Sequence, residues 1–162
     1  EITLWAMPVQ RPYNPNAKLM AEMIQADWAK VGIKAKIVSY EWGEYIKRAK
    51  AGEAGAILIG WTGDNGDPDN WVGPNMSCDA IGGSNYAQWC HKEFDGLVLK
   101  GRNTINQAER VKIYEKAQGI IKTELPIPTI AHSTVYQPMR KEVQGFKISP
   151  FGLNSFYGVS VK

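Results

Sequence analysis

Residues 54–61 read Ala54-Gly55-Ala56-Ile57-Leu58-Ile59-Gly60-Trp61, and this apolar run decides the fold class. It falls far short of the roughly 20 residues that span a bilayer, so no integral membrane protein is expected. Its length and its flanking glycines suit a strand covered on both faces. Upstream, Trp42, Tyr45, Ile46 and Ala49 mark a short helix ended near Gly52. Before it, Ile33–Tyr40 alternates, with Ile33, Ala35, Ile37 and Ser39 on one face and Lys34, Lys36, Val38 and Tyr40 on the other, a second strand with one side half buried. Earlier still, Leu19, Met20, Met23, Ile24, Trp28 and Val31 recur at helical spacing. Asn14 as N-cap, Pro15 at the first helical position and Gly32 just past the end predict a helix over 15–31. Ile2–Met7 is the first strand. The order β-α-β-α-β predicts an α/β layer with a mixed, mostly parallel sheet and flanking helices.

Downstream the pattern changes. Residues 62–88 are rich in Gly and Pro and hold Asp64, Asp67, Asp69 and Asp79, which predicts a long loop with one helical turn near 69–72. Phe94, Leu97 and Val98 suggest a short helix. Asn106, three residues before Glu109, is a capping-box-like start for a helix running to about Thr123. Ile127–Thr134, Phe146–Ile148 and Phe156–Val161 are expected as further strands.

The composition bounds the function. A chain of 162 residues makes about one domain. Hydrophobic residues at 44% and charged residues at 22% exclude a disordered chain. The net charge of +3 is mild and its basic residues are scattered, so no nucleic acid is expected as a partner. Glu1-Ile2-Thr3 opens directly in a strand, with no initiator Met and no signal-peptide pattern, as expected of a chain cut from a longer one. No phosphate-binding loop, Gly-x-Ser-x-Gly or His-Glu-x-x-His motif is present, so no catalytic residue is assigned. His132 sits among apolar residues and reads as a packed, hydrogen-bonded side chain.

Two places carry candidate chemistry. The loop Gly60–Asn70 follows the third strand, and ligands of open parallel sheets sit at the carboxyl ends of strands. Its carboxylates could hold a cation such as calcium, but the EF-hand spacing fails. Asp67, Asp69 and Asn70 fit turn-making roles, and Asp64 is the better site candidate. Arg11 follows the first strand in a loop stiffened by Pro8, Pro12 and Pro15, and its guanidinium suits a carboxylate. An ordinary solvated Arg is the competing reading. Cys78 and Cys90 favour a disulfide, against free thiols or a metal site with His91. A small metal-dependent α/β hydrolase built on the Asp64–Asp69 cluster is the alternative of another class.

Trp5–Asn16, Met20–Gly32, Tyr40–Tyr45, Gly60–Asn70, Ala131–Val135 and Arg140–Val143 together resemble the periplasmic dipeptide-binding proteins of bacterial ABC importers. The wider family binds oligopeptides, nickel, haem or glutathione. The resemblance implies a periplasmic-binding-protein-like lobe over 1–135, the carboxyl-terminal lobe of a two-lobed receptor. It implies a tail over 136–162 that in relatives returns to the other, N-terminal lobe. It further implies a periplasmic location, an ABC permease as membrane partner, no cofactor, no metal and no catalysis. By this resemblance Asp64 pairs with a dipeptide's α-ammonium and Arg11 with its α-carboxylate, and Cys78 pairs with Cys90; Trp61, Trp42 and Tyr13 are candidate apolar walls, with core packing as the competing reading of each. A dipeptide's termini lie roughly 5–7 Å apart, so one fixed anion and one fixed cation would measure length as well as charge. Glutathione or haem is the alternative ligand, and the sequence departs from close dipeptide binders over Val72–Gly83. A third reading is a stable fragment that binds nothing, because half the pocket is absent.

Overall fold

The structure is a computed structural model describing residues 1–162. Three parallel strands, β1 (Ile2–Trp5), β2 (Ala35–Val38) and β3 (Ala56–Ile57), lie in the order β2-β1-β3. Leu4 sits beside Ile37 on one side and Ala56 on the other. The α/β class and the parallel sheet are therefore as the sequence predicts.

The two-residue side-chain period sorts β1 onto two cores. Leu4 and Ala6 pack with Leu58 and Ala21 under helix α1 (Ala17–Lys30). Trp5 and Met7 pack with Tyr45 and Ala49 of helix α2 (Trp42–Lys50) on the opposite face. Ile57 and Ile59 lean on the second cluster, while Ala56 leans on the first. The run 54–61 is thus covered on both faces, as expected. Only Ala56 and Ile57 join the ladder, however, beside Leu4 and Trp5. Tyr45 is fully buried, and its hydroxyl donates to the Leu58 carbonyl at 2.7 Å, tying α2 across β3.

Helix α1 begins two residues later than predicted. Asn16, not Asn14, caps it, its side chain accepting from Leu19 N at 3.1 Å. Asn14 is buried instead and closes the preceding loop through paired backbone bonds with Arg11. Gly32 has φ +83°, the left-handed geometry expected just past a helix end. In α2 the Glu41 carboxylate accepts from Gly43 N and Glu44 N, which holds its pKa below the usual range.

A helical unit follows. The expected loop over 62–88 contains more structure than one turn, namely α3 (Asp69–Met76) and a 3-10 turn at Cys78–Ala80. Helices α4 (Lys92–Arg102) and α5 (Gln107–Glu124) pack with α3 around Val72, Phe94, Val98, Tyr114 and Ala117. Asn106 caps α5 by accepting from Glu109 N at 3.0 Å, as its spacing predicts.

The carboxyl-terminal strands were over-predicted. Ile127–Thr134 forms no ladder, and no other strand lies beside it to pair with. Phe146–Ile148 is also irregular. The last strands are the short antiparallel pair β4 (Val143–Gln144) and β5 (Ser160–Val161). His132 is exposed rather than packed, because the strand meant to bury it is not formed. Residues 131–140 are exposed throughout, and Tyr157 keeps 97% of its surface open.

Candidate functional site

The loops leaving β1 and β3 lie side by side, because those strands are neighbours in a parallel sheet. The β1 loop presents Arg11 and Tyr13. It is braced by Asn14, whose Oδ1 accepts from Asn16 N at 3.2 Å. The Arg11 guanidinium lies over the Trp42 ring, 4.8 Å from its centroid, and Trp42 stacks on Tyr45 with ring centroids 5.6 Å apart. Arg11 forms no ion pair within the chain, and Nη1 of its guanidinium donates to the Gln10 carbonyl.

Tyr13 joins the two loops. Its ring lies over Gly60, so close that a Cβ there would fall 2.3 Å from Tyr13 Cδ2. Only glycine allows that approach. Burial raises the Tyr13 pKa, and the adjacent Arg11 charge opposes the rise.

The β3 loop carries Trp61 and Asp64, and one side chain organises both. Asn70 Oδ1 accepts from the Asp64 backbone N–H at 2.9 Å and from Trp61 Nε1 at 3.4 Å. Asn70 Nδ2 donates to Asp64 Oδ2 at 3.1 Å. Gly63 makes room for Trp71, whose Cη2 would lie 2.0 Å from a Cβ there. Asp64 is exposed and has no ionic partner.

The structure therefore brings Arg11, Tyr13 and Trp42 into one cluster and Trp61 with Asp64 into a second, joined where Tyr13 covers Gly60. Arg11 and Asp64 are not bonded to each other, so both charges remain open to a ligand.

The other loop carboxylates are already taken. Asp67 receives a two-pronged bond from Arg110, at 2.7 and 2.8 Å, which holds its carboxyl below the usual range. Asp69 accepts from Arg102 Nε at 2.7 Å. Two arginines among these carboxylates neutralise the charge that a cation would need, so the cluster does not fit the metal-hydrolase alternative. Asn65 Oδ1 accepts from Asp67 N, and Asp67 Oδ1 from Asp69 N, which are the turn-making bonds expected of this loop.

Cys78 and Cys90 form a disulfide. His91 is not beside it as a ligand; its Nδ1 accepts from Phe94 N at 3.2 Å and caps α4. Sequence reasoning missed Asn70 and Arg110 as parts of the site's frame. Arg110 lies 43 residues from Asp67, and no local pattern links the two.

The chain belongs to the bacterial extracellular solute-binding proteins of family 5, whose middle portion matches residues 5–83. It is 68% identical over 161 residues to di/tripeptide-binding protein 1 of Pseudomonas aeruginosa strain UCBPP-PA14, covering 99% of this chain and 30% of that protein. It is 48% identical over 161 residues to haem-binding protein A of Haemophilus influenzae, covering 99% of this chain and 29% of that protein. The dipeptide-binding protein of Pseudoalteromonas sp. SM9913, solved in complex with Met-Leu, superposes with a TM-score of 0.87. That comparison has 40% identity and covers 99% of this chain and 32% of that one. The chain thus spans about 30% of the length of the curated relatives it matches.

Proposed function

We propose that this chain is the ligand-gripping lobe of a dipeptide receptor that serves a bacterial ABC importer. The observation that carries the reading is the pair of unsatisfied opposite charges, Arg11 and Asp64, on adjacent strand-end loops. A zwitterionic dipeptide offers an α-carboxylate to the planar Arg11 fork and an α-ammonium to Asp64. Trp61, Trp42 and Tyr13 supply apolar surface between the two charges. Binding needs no covalent step and no cofactor, so the lobe captures its ligand and does not transform it.

The lobe works as part of a longer polypeptide in this reading, with residues 136–162 leading back toward an N-terminal lobe. Closure of the two lobes removes water from both charges. Each charge-assisted bond then contributes about 1.5–3 kcal/mol, against much less on an open surface. The closed form docks on the permease from the periplasm. The haem-binding relative raises haem as a second ligand, and glutathione offers similar charges. Haem calls for an axial His or Tyr. The Tyr13 hydroxyl faces Met7 Sδ at 3.9 Å, and the opposite charges of Arg11 and Asp64 match the two termini of a peptide, so the dipeptide reading fits these residues better.

Calorimetric titration tests this with an unblocked dipeptide, the same dipeptide blocked at both ends, glutathione and haemin. It is run on the chain alone and on the chain joined to the N-terminal region of the Pseudomonas relative. Binding of the unblocked dipeptide only, weakened about 10–100-fold in Asp64→Ala and in Arg11→Ala, supports the reading. Tighter binding of haemin or glutathione, or indifference to both substitutions in the joined protein, refutes it.

A further inference from the structure

Asn70 is the second residue of α3 and accepts a hydrogen bond from Trp61 Nε1. Its planar amide grips one residue twice. Oδ1 takes the Asp64 backbone N–H while Nδ2 reaches the carboxylate of the same residue. A primary amide has two acceptor lone pairs and two N–H donors, and three of these four capacities are spent on Asp64 and Trp61. Asp64 Oδ2 is thereby occupied, and no protein group bonds Oδ1. An exposed aspartate ordinarily turns freely about its side-chain bonds and loses that freedom when it binds a ligand.

Asn70 is itself fixed from behind. Asp69, its neighbour, is held by Arg102 of α4, and Asp67 is held by Arg110 of α5. Arg110 also donates to the Gly101 carbonyl at 2.8 Å, which locks the two helices that carry these arginines. The chain of contacts runs from a packed helix pair, through two arginine–carboxylate clasps, to the start of α3 and on to Asp64.

We propose that Asn70 is the positioning residue of the ammonium site. It pins Asp64 Oδ2 and holds Oδ1 toward the ligand's charged amine without touching the ligand itself. The inference rests on the reading of Asp64 as the ammonium partner. The ligand class this device selects is a peptide with a free, charged amino terminus, because an acylated amine offers no charge to a pre-aimed carboxylate.

The test titrates an unblocked dipeptide and its N-acetylated counterpart into the full-length polypeptide. Wild type, Asn70→Ala, Asp64→Ala and the double variant are compared. Asn70→Ala is expected to weaken binding of the unblocked dipeptide about tenfold. It is expected to leave the N-acetylated form unchanged and to add nothing in the Asp64→Ala background. Equal loss for both peptides, additive loss in the double variant, or no loss at all overturns the proposal. A wild type that does not distinguish the two peptides overturns the Asp64 reading as well. A selective wild type with an unselective Asn70→Ala loss overturns only the assignment of Asn70. Should Asn70→Ala not fold, Asn70→Ser retains a polar residue too short to reach both Asp64 groups. Amide hydrogen exchange then reads the tie without ligand. The Asp64 amide should exchange at least about tenfold faster in the variant while α4 and α5 keep their protection. Unchanged Asp64 protection overturns the proposal.

Discussion

The Tyr13 ring occupies the space that a side chain at position 60 would need, with Cδ2, Cε2 and Cγ at 2.3, 2.7 and 2.7 Å from an ideal Cβ on Gly60. The first and third strand-end loops are therefore sized to each other by a glycine and an aromatic ring. Gly60→Ala should displace Tyr13, which packs against the core of Trp5, Met7 and Tyr45. The cost expected of such overpacking is about 1–3 kcal/mol. Urea denaturation measures it. Tyr13→Ala in the same background should restore part of the loss, because the ring that clashes is gone. An unchanged midpoint in Gly60→Ala would show that the ring moves aside freely.

The clasp between Asp67 and Arg110 should contribute pH-dependent stability. Arg110 holds the Asp67 carboxyl below its usual range in the folded chain. A depressed folded-state pKa stabilises above the unfolded value of about 3.9, and that contribution fades as pH falls through the folded pKa. Both side chains keep some solvent contact, so the expected loss in Arg110→Gln near pH 7 is about 1 kcal/mol. Denaturant midpoints of wild type and Arg110→Gln should differ most at neutral pH and converge below about pH 4. A constant difference across that range would mean that Arg110 acts by packing on Tyr114, whose ring it covers at 5.0 Å, rather than through Asp67.

The sheet half of the molecule was legible because local signals and packing agree there. Trp42, Tyr45 and Ala49 mark α2, and the structure buries Tyr45 and Ala49 on that face. Arg11 and Asp64 were readable as candidates because strand ends in a parallel sheet are where ligands gather. The tail was misread because apolar content alone cannot say whether a strand has a partner. Ile130 and Val135 have strand-forming side chains, yet they stay exposed with no neighbouring strand to accept them. Asn16 displaced Asn14 as the cap because Asn14 is spent on closing the Arg11 loop. Asn70 passed for a turn former because its bonds to Asp64 and Trp61 span six and nine residues, distances that match no helical or strand period.

Asn85 should act as a second staple inside the disulfide loop. It is 1% exposed, and its Nδ2 donates to the carbonyls of Ser77 at 2.9 Å and Trp89 at 2.7 Å. Those two residues immediately precede Cys78 and Cys90, so one amide holds together the two backbone positions that the disulfide joins. Replacing both cysteines by serine should cost roughly 3 kcal/mol on the loop-entropy estimate. Asn85→Ala leaves the Trp89 carbonyl unpaired, while that of Ser77 keeps the Ala80 N–H at 3.1 Å, and should cost about 1–3 kcal/mol with the disulfide intact. The two losses should not add, because each staple limits what the other has left to restrain. Thermal or urea unfolding of the single, double-cysteine and triple variants measures the coupling, and simple additivity would show that the staples act on separate parts of the loop.

Arg11→Lys should separate charge from shape at the carboxylate end of the proposed site. Lysine keeps the positive charge but loses the planar fork and much of the stacking over Trp42 seen at 4.8 Å. The expected loss in dipeptide affinity is about tenfold for Arg11→Lys and larger for Arg11→Ala. Trp42→Phe keeps an aromatic face beneath Arg11 and should cost less affinity than Trp42→Ala. Trp42 also stacks on the buried Tyr45, so each variant's thermal midpoint must be compared with its affinity. A Trp42→Ala protein of unchanged midpoint that still binds peptide as tightly as wild type would show that the ring serves the core and not the orientation of Arg11. If affinity instead falls in parallel with the loss in Arg11→Lys, and the two losses fail to add when combined, the ring and the guanidinium act as one unit. The stacking would then be what aims the fork at the carboxylate, the counterpart of the role proposed for the Asn70 amide, which bonds Asp64 Oδ2.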